Sequence, residues 1–407
     1  MKRADIDSIL FIIGLIFCLF LYEFIQAVTE FTYIDEIYCL GFVYYWILVR
    51  KWTIGKEFRY CMAIFVMFLL VSVIRPRNAL PAILTDFVIE LKPFLIYYIV
   101  RETGFCVDER WKPVINRLSL LLPLTLLPLG FYVLGQEEVE MPFFGHLSRY
   151  GSFMSIMGMV YLWSSKQSKR DVVISILIVC TAILSGRSKS YGFAAIYIAI
   201  FLILMNAQQL RKLSFKTVIM GVVLLLLVLY VSWDKISFYF IEGASDGRMM
   251  ARPALYLGAV EILGDYPIFG SGLGTYATYA SSAYYSPLYY EYGLNEINGL
   301  EEGGEFICDT FFPEMAQFGL VGIILFLLFW VLRVREIKRE YTNNTSNYNA
   351  VIEFLIIFFI FIESIADTTF TQNRGFMVMM LLAVLQNEYS HVTTLPDKTP
   401  NENTLPA

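Results

Sequence analysis

Thr217-Val-Ile-Met-Gly-Val-Val-Leu-Leu-Leu-Leu-Val-Leu-Tyr-Val-Ser232 runs uncharged into Trp233-Asp-Lys-Ile-Ser-Phe-Tyr-Phe-Ile-Glu-Gly-Ala-Ser-Asp-Gly-Arg248. The first half has the composition of a helix crossing hydrocarbon, because about 20 apolar residues in helical conformation span a bilayer core of roughly 30 Å. The second half opens the one long polar segment of the chain, Trp233 to Glu314. That segment holds Asp234, Glu242, Asp246, Arg248, Arg252, Glu261, Asp265, Glu291, Glu296, Glu301, Glu302, Glu305, Asp309 and Glu314, with tyrosines and glycines between them. A connection this long inside an otherwise apolar chain is functional more often than it is a spacer.

Working outward, 57% of the 407 residues are hydrophobic and only 16% are charged. A soluble chain carries about a quarter charged residues, so the deficit assigns the apolar runs to lipid. Twelve spans are expected, at 8–28, 34–49, 58–74, 83–100, 114–134, 149–165, 172–186, 191–206, 217–232, 315–332, 350–366 and 374–387. The second is the weakest, since Asp35 and Glu36 open it, and prolines inside the fourth (Pro93) and fifth (Pro123, Pro128) are expected to kink their helices. No cleavable signal is expected, because Ile9 to Ile25 lacks a small-residue cleavage site and more spans follow.

The basic residues set the orientation. With the N-terminus inside, roughly two-thirds of the 31 Lys and Arg residues fall in alternate, inward loops, as the positive-inside rule requires. Both termini are then cytoplasmic and 233–314 faces outward. The expected division is a membrane domain over 1–232, the outer segment 233–314, a second membrane part over 315–389 and a disordered cytoplasmic tail over 390–407. Six cysteines have no metal-ligand spacing and read as small hydrophobes, and there is no Walker loop, HExxH or nucleophile elbow. With only His146 and His391 in the chain, histidine-based metal or triad chemistry is not expected, and neither metal nor cofactor nor nucleic acid is foreseen.

The outward cations are Arg75, Arg77, Arg149, Arg187, Lys189, Lys235, Arg248, Arg252 and Arg374, nearly all at the outer ends of spans. Guanidinium forks match phosphate oxygens and stay charged, so a cluster of them suits an anionic head group. The plain alternative is headgroup snorkelling, or pairing with the loop carboxylates. Lys92 lies inside the fourth span, two residues after Glu90, and is either functional or paired with another helix. The loop tyrosines serve a sugar platform or ordinary packing equally well. Asp309 and Glu305 stand beside the mouth of the tenth span as candidate general bases, with Glu314 one turn further in.

Four stretches resemble the O-antigen polymerase/ligase superfamily, and the Wzy-type polysaccharide polymerases in particular. They are Arg149-Tyr-Gly-Ser-Phe153, Leu184-Ser-Gly-Arg-Ser-Lys-Ser190, Gly247-Arg248 with Asp265-Tyr-Pro-Ile-Phe-Gly-Ser-Gly-Leu-Gly274, and Cys308-Asp-Thr-Phe-Phe-Pro-Glu-Met-Ala-Gln-Phe-Gly-Leu-Val-Gly322. The likeness covers roughly 140–335 together with the span count. It implies an all-α polytopic membrane protein of about twelve transmembrane helices, GT-C-like, with one large extracytoplasmic loop between helices 9 and 10. It further implies a metal-independent glycosyltransferase of the bacterial cytoplasmic membrane that polymerises undecaprenyl-diphosphate-linked oligosaccharide at the outer face. Arg187 and Arg248, with Arg149 as a third, would hold diphosphate; Arg252, Arg374 and Arg75 complete the candidate anion set. A chain-length regulator is expected by the same analogy. Where ligases carry a histidine proposed as base, this sequence has Cys308 followed by Asp309, which leans toward a polymerase. A ligase transferring finished glycan to lipid A or protein, and a polysaccharide flippase, are the alternatives.

Overall fold

A computed structural model describes residues 2–29, 31–134, 141, 143–205, 250–343 and 348–394. Among these residues the regular elements are helical, and the one extended pairing is a single antiparallel bridge between Met141 and Gly145. In chain order the long helices are α1 (Arg3–Ile13), running through a π-helical stretch (Gly14–Phe20) into α2 (Tyr22–Thr29), then α3 (Ile34–Arg50), α4 (Lys56–Ile74), α5 (Leu80–Thr103), α6 (Lys112–Val133), α7 (Leu147–Ser164), α8 (Lys169–Thr181) and α9 (Ser188–Met205). After the described chain resumes come α10 (Ala251–Asp265), α11 (Gly319–Asn343), α12 (Asn349–Ser364) and α13 (Asn373–Thr394). The expected span 217–232 lies outside the described residues, as do Asp234, Lys235, Glu242, Asp246 and Arg248.

Among the described residues, three helical stretches are able by length and composition to cross a membrane: Lys56–Ile74, Lys112–Val133 and Phe311–Arg339. The side chains say the same. Ile37, Leu40, Tyr44 and Leu48 of α3 recur at three- and four-residue spacing and are each more than half exposed, while Phe42 and Trp46 on the opposite face are buried. On α11, Leu320, Ile324, Leu327 and Val331 are open while Phe326, Phe329 and Trp330 pack inward. Apolar faces of this extent are unstable against water and suit lipid. Most of the other helices carry charge that finds a partner inside the bundle. Lys92 on α5 is buried and pairs with Asp35 and, at 2.7 Å, Glu36, both in the first turn of α3. The plain reading of Lys92 therefore holds, and the acids that weaken the second run are its counter-ions. Pro93, Pro123 and Pro128 sit inside α5 and α6, both of which continue through them.

The described part of the long polar segment is a folded unit rather than an open loop. Alongside α10 it forms short turns of helix at Tyr279–Ala283, Leu288–Glu291 and Phe311–Glu314, around a separate apolar core of Ala254, Leu255, Ile262, Tyr276, Leu288, Tyr289, Leu300 and Ile307. Tyr276 and Tyr289 are fully buried and stack at 5.8 Å, with Tyr289 on Tyr285 at 5.1 Å. These tyrosines pack a core instead of forming a sugar platform; Tyr279, Tyr284 and Tyr290 are the exposed ones.

The glycine-rich turn 267–274 fastens this unit to the bundle. Gly272 N–H donates to the Gln317 carbonyl (3.0 Å), and Leu320 and Val321 N–H donate back to the Pro267 and Ile268 carbonyls (2.8 and 3.1 Å). Leu273 N–H reaches Ser72 Oγ on α4 (2.9 Å), and Gly274 N–H reaches the buried Asp86 carboxylate on α5 (2.8 Å). Gly274 has φ +72°, and a Cβ there would lie 2.8 Å from the Ala82 backbone, so only glycine fits. α13 extends to Thr394, beyond the boundary at 389 expected from sequence, and residues from 395 lie outside the described set.

Candidate functional site

Five cations from separate parts of the chain converge where the ends of α2, α7, α9, α10 and α13 meet the loop 365–372. The approach depends on Gly151: a Cβ there would stand 2.9 Å from Ser185 Oγ and closer still to Ser190, whose hydroxyls bond each other at 3.0 Å. The glycine two residues after Arg149 thus lets α7 lie against the 185–190 turn, and that turn carries Arg187 and Lys189 toward Arg149. Gly186, with φ +64°, reverses the chain between α8 and α9.

Four of the five cations have carboxylate partners. Arg149 pairs with the buried Glu23, and Arg252, near the start of α10, pairs with Asp309. Lys189 bridges Glu363 and Asp367, each at 2.6 Å, and Arg374 reaches Asp367 at 3.2 Å. Ser148 Oγ donates to Asp367 (2.7 Å), and Ser152 and Thr369 hydroxyls donate to Glu363 (2.9 and 3.0 Å). Arg187 differs. Its guanidinium makes no ion pair with a carboxylate among the described residues; Nη2 lies 3.1 Å from His146 Nε2, and Nε is buried without a partner.

The groups feel one another. Burial alone would raise the Asp367 carboxyl, but Arg374 and Lys189 override it and hold the group well below the usual carboxylate range. Burial raises Asp309, and Arg252 only partly offsets it. Cys308 is raised by burial and then by Asp309, so it stays a thiol rather than a nucleophilic thiolate. Solvent reaches His146, yet the protein packed around the ring, and then the Arg187 charge, push its pKa down to about 4. A neutral imidazole therefore sits among Arg149, Arg187 and Lys189.

Of the residues singled out from sequence, Arg149, Arg187, Arg252, Arg374 and Asp309 are brought to this one place. Arg75 is exposed at the end of α4. Its neighbour Arg77 turns to the outer unit, lying 3.8 Å over the Tyr266 ring and bonded to its hydroxyl at 2.6 Å. Glu305 is exposed and makes no hydrogen bond or ion pair among the described residues. Glu314 is buried away from the cluster, against Glu90 and Asp86. Arg248 lies outside the described residues. Sequence reasoning missed His146, Glu23 and Asp367; Glu363, like Glu353 in the same run, stood out as an ionisable residue that is either functional or paired with another helix, and it is paired, with Lys189. His146 and Asp367 carried a signal, since each stands a few residues from an arginine at a helix end; Glu23 reads as an ordinary member of an apolar run.

Residues 172–327 match a family model described as O-antigen ligase. The segment is one of the O-antigen polymerase/ligase superfamily. The match takes in Arg187, Lys189, Arg252 and Asp309 and ends inside α11. The match, together with the apolar helices, is consistent with a membrane protein related to O-antigen polymerases and ligases over that segment. No curated protein matches the chain.

Proposed function

We propose that the protein is a metal-independent glycosyltransferase that polymerises undecaprenyl-diphosphate-linked oligosaccharide units at the outer face of a bacterial cytoplasmic membrane. The supporting observation is Arg187: of five converging cations, it alone keeps no carboxylate partner among the described residues. A guanidinium left open beside a neutral imidazole, with further cations around it, suits a phosphate-type oxyanion. Diphosphate is already a good leaving group, so the chemistry asks for alignment of donor and acceptor and for charge neutralisation as the diphosphate departs. Arginines supply both. Asp309, raised by burial and partly exposed, accepts the proton of the attacking sugar hydroxyl once Arg252 turns to phosphate. The wider architecture in this reading is the twelve-span bundle with both termini cytoplasmic and the 233–314 unit outside; a chain-length regulator is its expected partner.

A ligase acting on the same lipid-linked donor is the second reading, favoured by the description of the matching family. Deletion of the encoding gene separates the two: surface glycan of single repeats marks a polymerase, and long chains left unlinked mark a ligase. Arg187→Ala should abolish surface polymer at unchanged protein level, and Arg187→Lys should restore it only in part, because a point charge replaces a fork. Full polymer from the alanine variant removes the anion-clamp reading.

A further inference from the structure

His146 has a hydrogen-bonding conflict that fixes what it can do. The Ser148 backbone N–H, an unsatisfied amide of the first turn of α7, donates to His146 Nδ1 at 3.2 Å. On the other side of the ring, Arg187 Nη2 lies 3.1 Å from Nε2. A backbone amide and a guanidinium only donate, and a neutral imidazole accepts at one nitrogen and donates from the other. One of the two contacts must therefore bring donor against donor. Protonating the ring makes both contacts donor against donor, so that state resolves nothing.

The geometry selects which contact yields. The Ser148 amide is fixed in a helix that is buried along almost its whole length. The Arg187 side chain is long, partly exposed and held by no carboxylate among the described residues. Nδ1 thus accepts from Ser148 and the ring proton resides on Nε2, beside the guanidinium. Two donors, one neutral and one cationic, then point at the same spot. The start of α7 adds the positive end of its helix dipole, and Arg149 and Lys189 lie within electrostatic reach.

We propose that His146 is an anion ligand and not a base: its Nε2–H and the Arg187 guanidinium jointly hold one oxygen of the diphosphate of the lipid-linked sugar donor. The inference rests on the diphosphate reading above for the identity of the ligand. It assigns the proton-accepting role elsewhere, because a ring already carrying its proton on the open nitrogen has nothing to accept with. A single oxyanion accepting from both groups removes the conflict, and the two donors stay 3.1 Å apart about a shared acceptor.

Two measurements on the full-length protein in detergent test this. Inorganic pyrophosphate is titrated calorimetrically into the wild type, His146→Gln and His146→Ala. The glutamine amide nitrogen reaches the place of Nε2 and donates, yet cannot take up a proton. The expected result is pyrophosphate affinity within a few-fold of wild type for glutamine and weakened about ten-fold or more for alanine, the loss of one hydrogen bond to a charged acceptor. Equal losses in both variants, or no pyrophosphate binding by the wild type, overturn the proposal. The second measurement does not depend on a tolerated substitution at 146. The chain has two histidines, so in His391→Gln the 15N-labelled imidazole is His146 alone. The Nε2–H tautomer is expected, and the Nδ1–H tautomer refutes the assignment. Neither readout involves glycan transfer, so a protein that passes both and makes no polymer refutes the polymerase reading while leaving the ligand assignment intact.

Discussion

Asp367→Asn gives the sharpest test of how the cation cluster is held together. The substitution keeps the side-chain shape and removes one negative charge that accepts from Lys189 (2.6 Å), Ser148 (2.7 Å) and Arg374 (3.2 Å). Removing one partner of a buried ion pair costs about 3–5 kcal/mol, because the other charge stays behind. Lys189 would still meet Glu363 at 2.6 Å and Arg374 would still meet Gln372, so the lower end, about 3 kcal/mol, applies. For a chain of this size that corresponds to a midpoint lowered by about 3–6 °C, extending the size scaling of thermal unfolding. Thermal unfolding of the purified protein in detergent, followed by tryptophan fluorescence, reads it. The pH dependence adds a second condition. Asp367 is depressed below its unfolded value of 3.8, so its contribution is fully present above that value and is lost only as pH falls further, toward the folded pKa. The gap between wild type and variant should therefore be the same at about pH 7 and about pH 5. An unchanged midpoint, or a gap that closes between those two values, would refute the account of Asp367 as the shared counter-ion of Lys189 and Arg374.

Asp309→Asn should abolish polymer formation without unfolding the protein, and in the wild type activity should climb with pH through a point above the ordinary carboxylate value, since burial raises this group; polymer at normal rate from the variant excludes it as base. His146 is depressed from 6.5 to about 4, so between those values the unfolded chain binds a proton that the folded one does not, and stability should fall as pH drops through that window. His146→Gln should lack that fall, which thermal midpoints across the window will show. Lys92→Met leaves Asp35 and Glu36 buried or half-buried with no cation, and should cost about 3–5 kcal/mol, seen as loss of folded protein on size-exclusion after heating. Gly274→Ala forces a side chain into a left-handed backbone against Ala82 and should cost at least about 1–2 kcal/mol, read by the same heating assay.

Much of this was legible from spacing alone. Apolar runs with charged ends located most of the described spans to within a few residues, because both the length of a span and the cost of charge in lipid are written locally; α10 and the polar extensions of α11 and α13 past the apolar runs were not foreseen. The site was legible on one side only. Arg149, Arg187, Arg252, Arg374 and Asp309 stand at or near helix ends, where an isolated charge is conspicuous. Glu23 and Glu363 are equally near the cluster but sit in helices whose neighbours are apolar, and nothing local says that Arg149 and Lys189 will neutralise them. His146 was discounted because histidine was sought as a metal ligand or base; the amide of Ser148, which fixes its tautomer, is invisible without coordinates. The fold of the outer segment was hidden for a related reason. Its core draws single leucines, isoleucines and alanines from scattered short turns, and its two buried tyrosines read as surface residues until Tyr276 and Tyr289 are seen stacked inside it.

The outer unit is anchored unequally on its two flanks. On one, main-chain bonds from the turn 267–274 knot it to α11, and further bonds tie it to Ser72 of α4 and Asp86 of α5. On the other, facing the arginines, the described contacts with the 365–372 loop include hydrogen bonds from Tyr256 to the Ile365 carbonyl (2.8 Å) and from Thr368 to the Cys308 carbonyl (3.3 Å), and the buried Phe311 ring packed on Phe370 at 5.1 Å. Isolated side-chain hydrogen bonds break and re-form more cheaply than a set of buried amide bonds. The edge toward the arginines thus has fewer main-chain bonds to break among the described residues, and in the proposed function it is the edge a bulky sugar would pass.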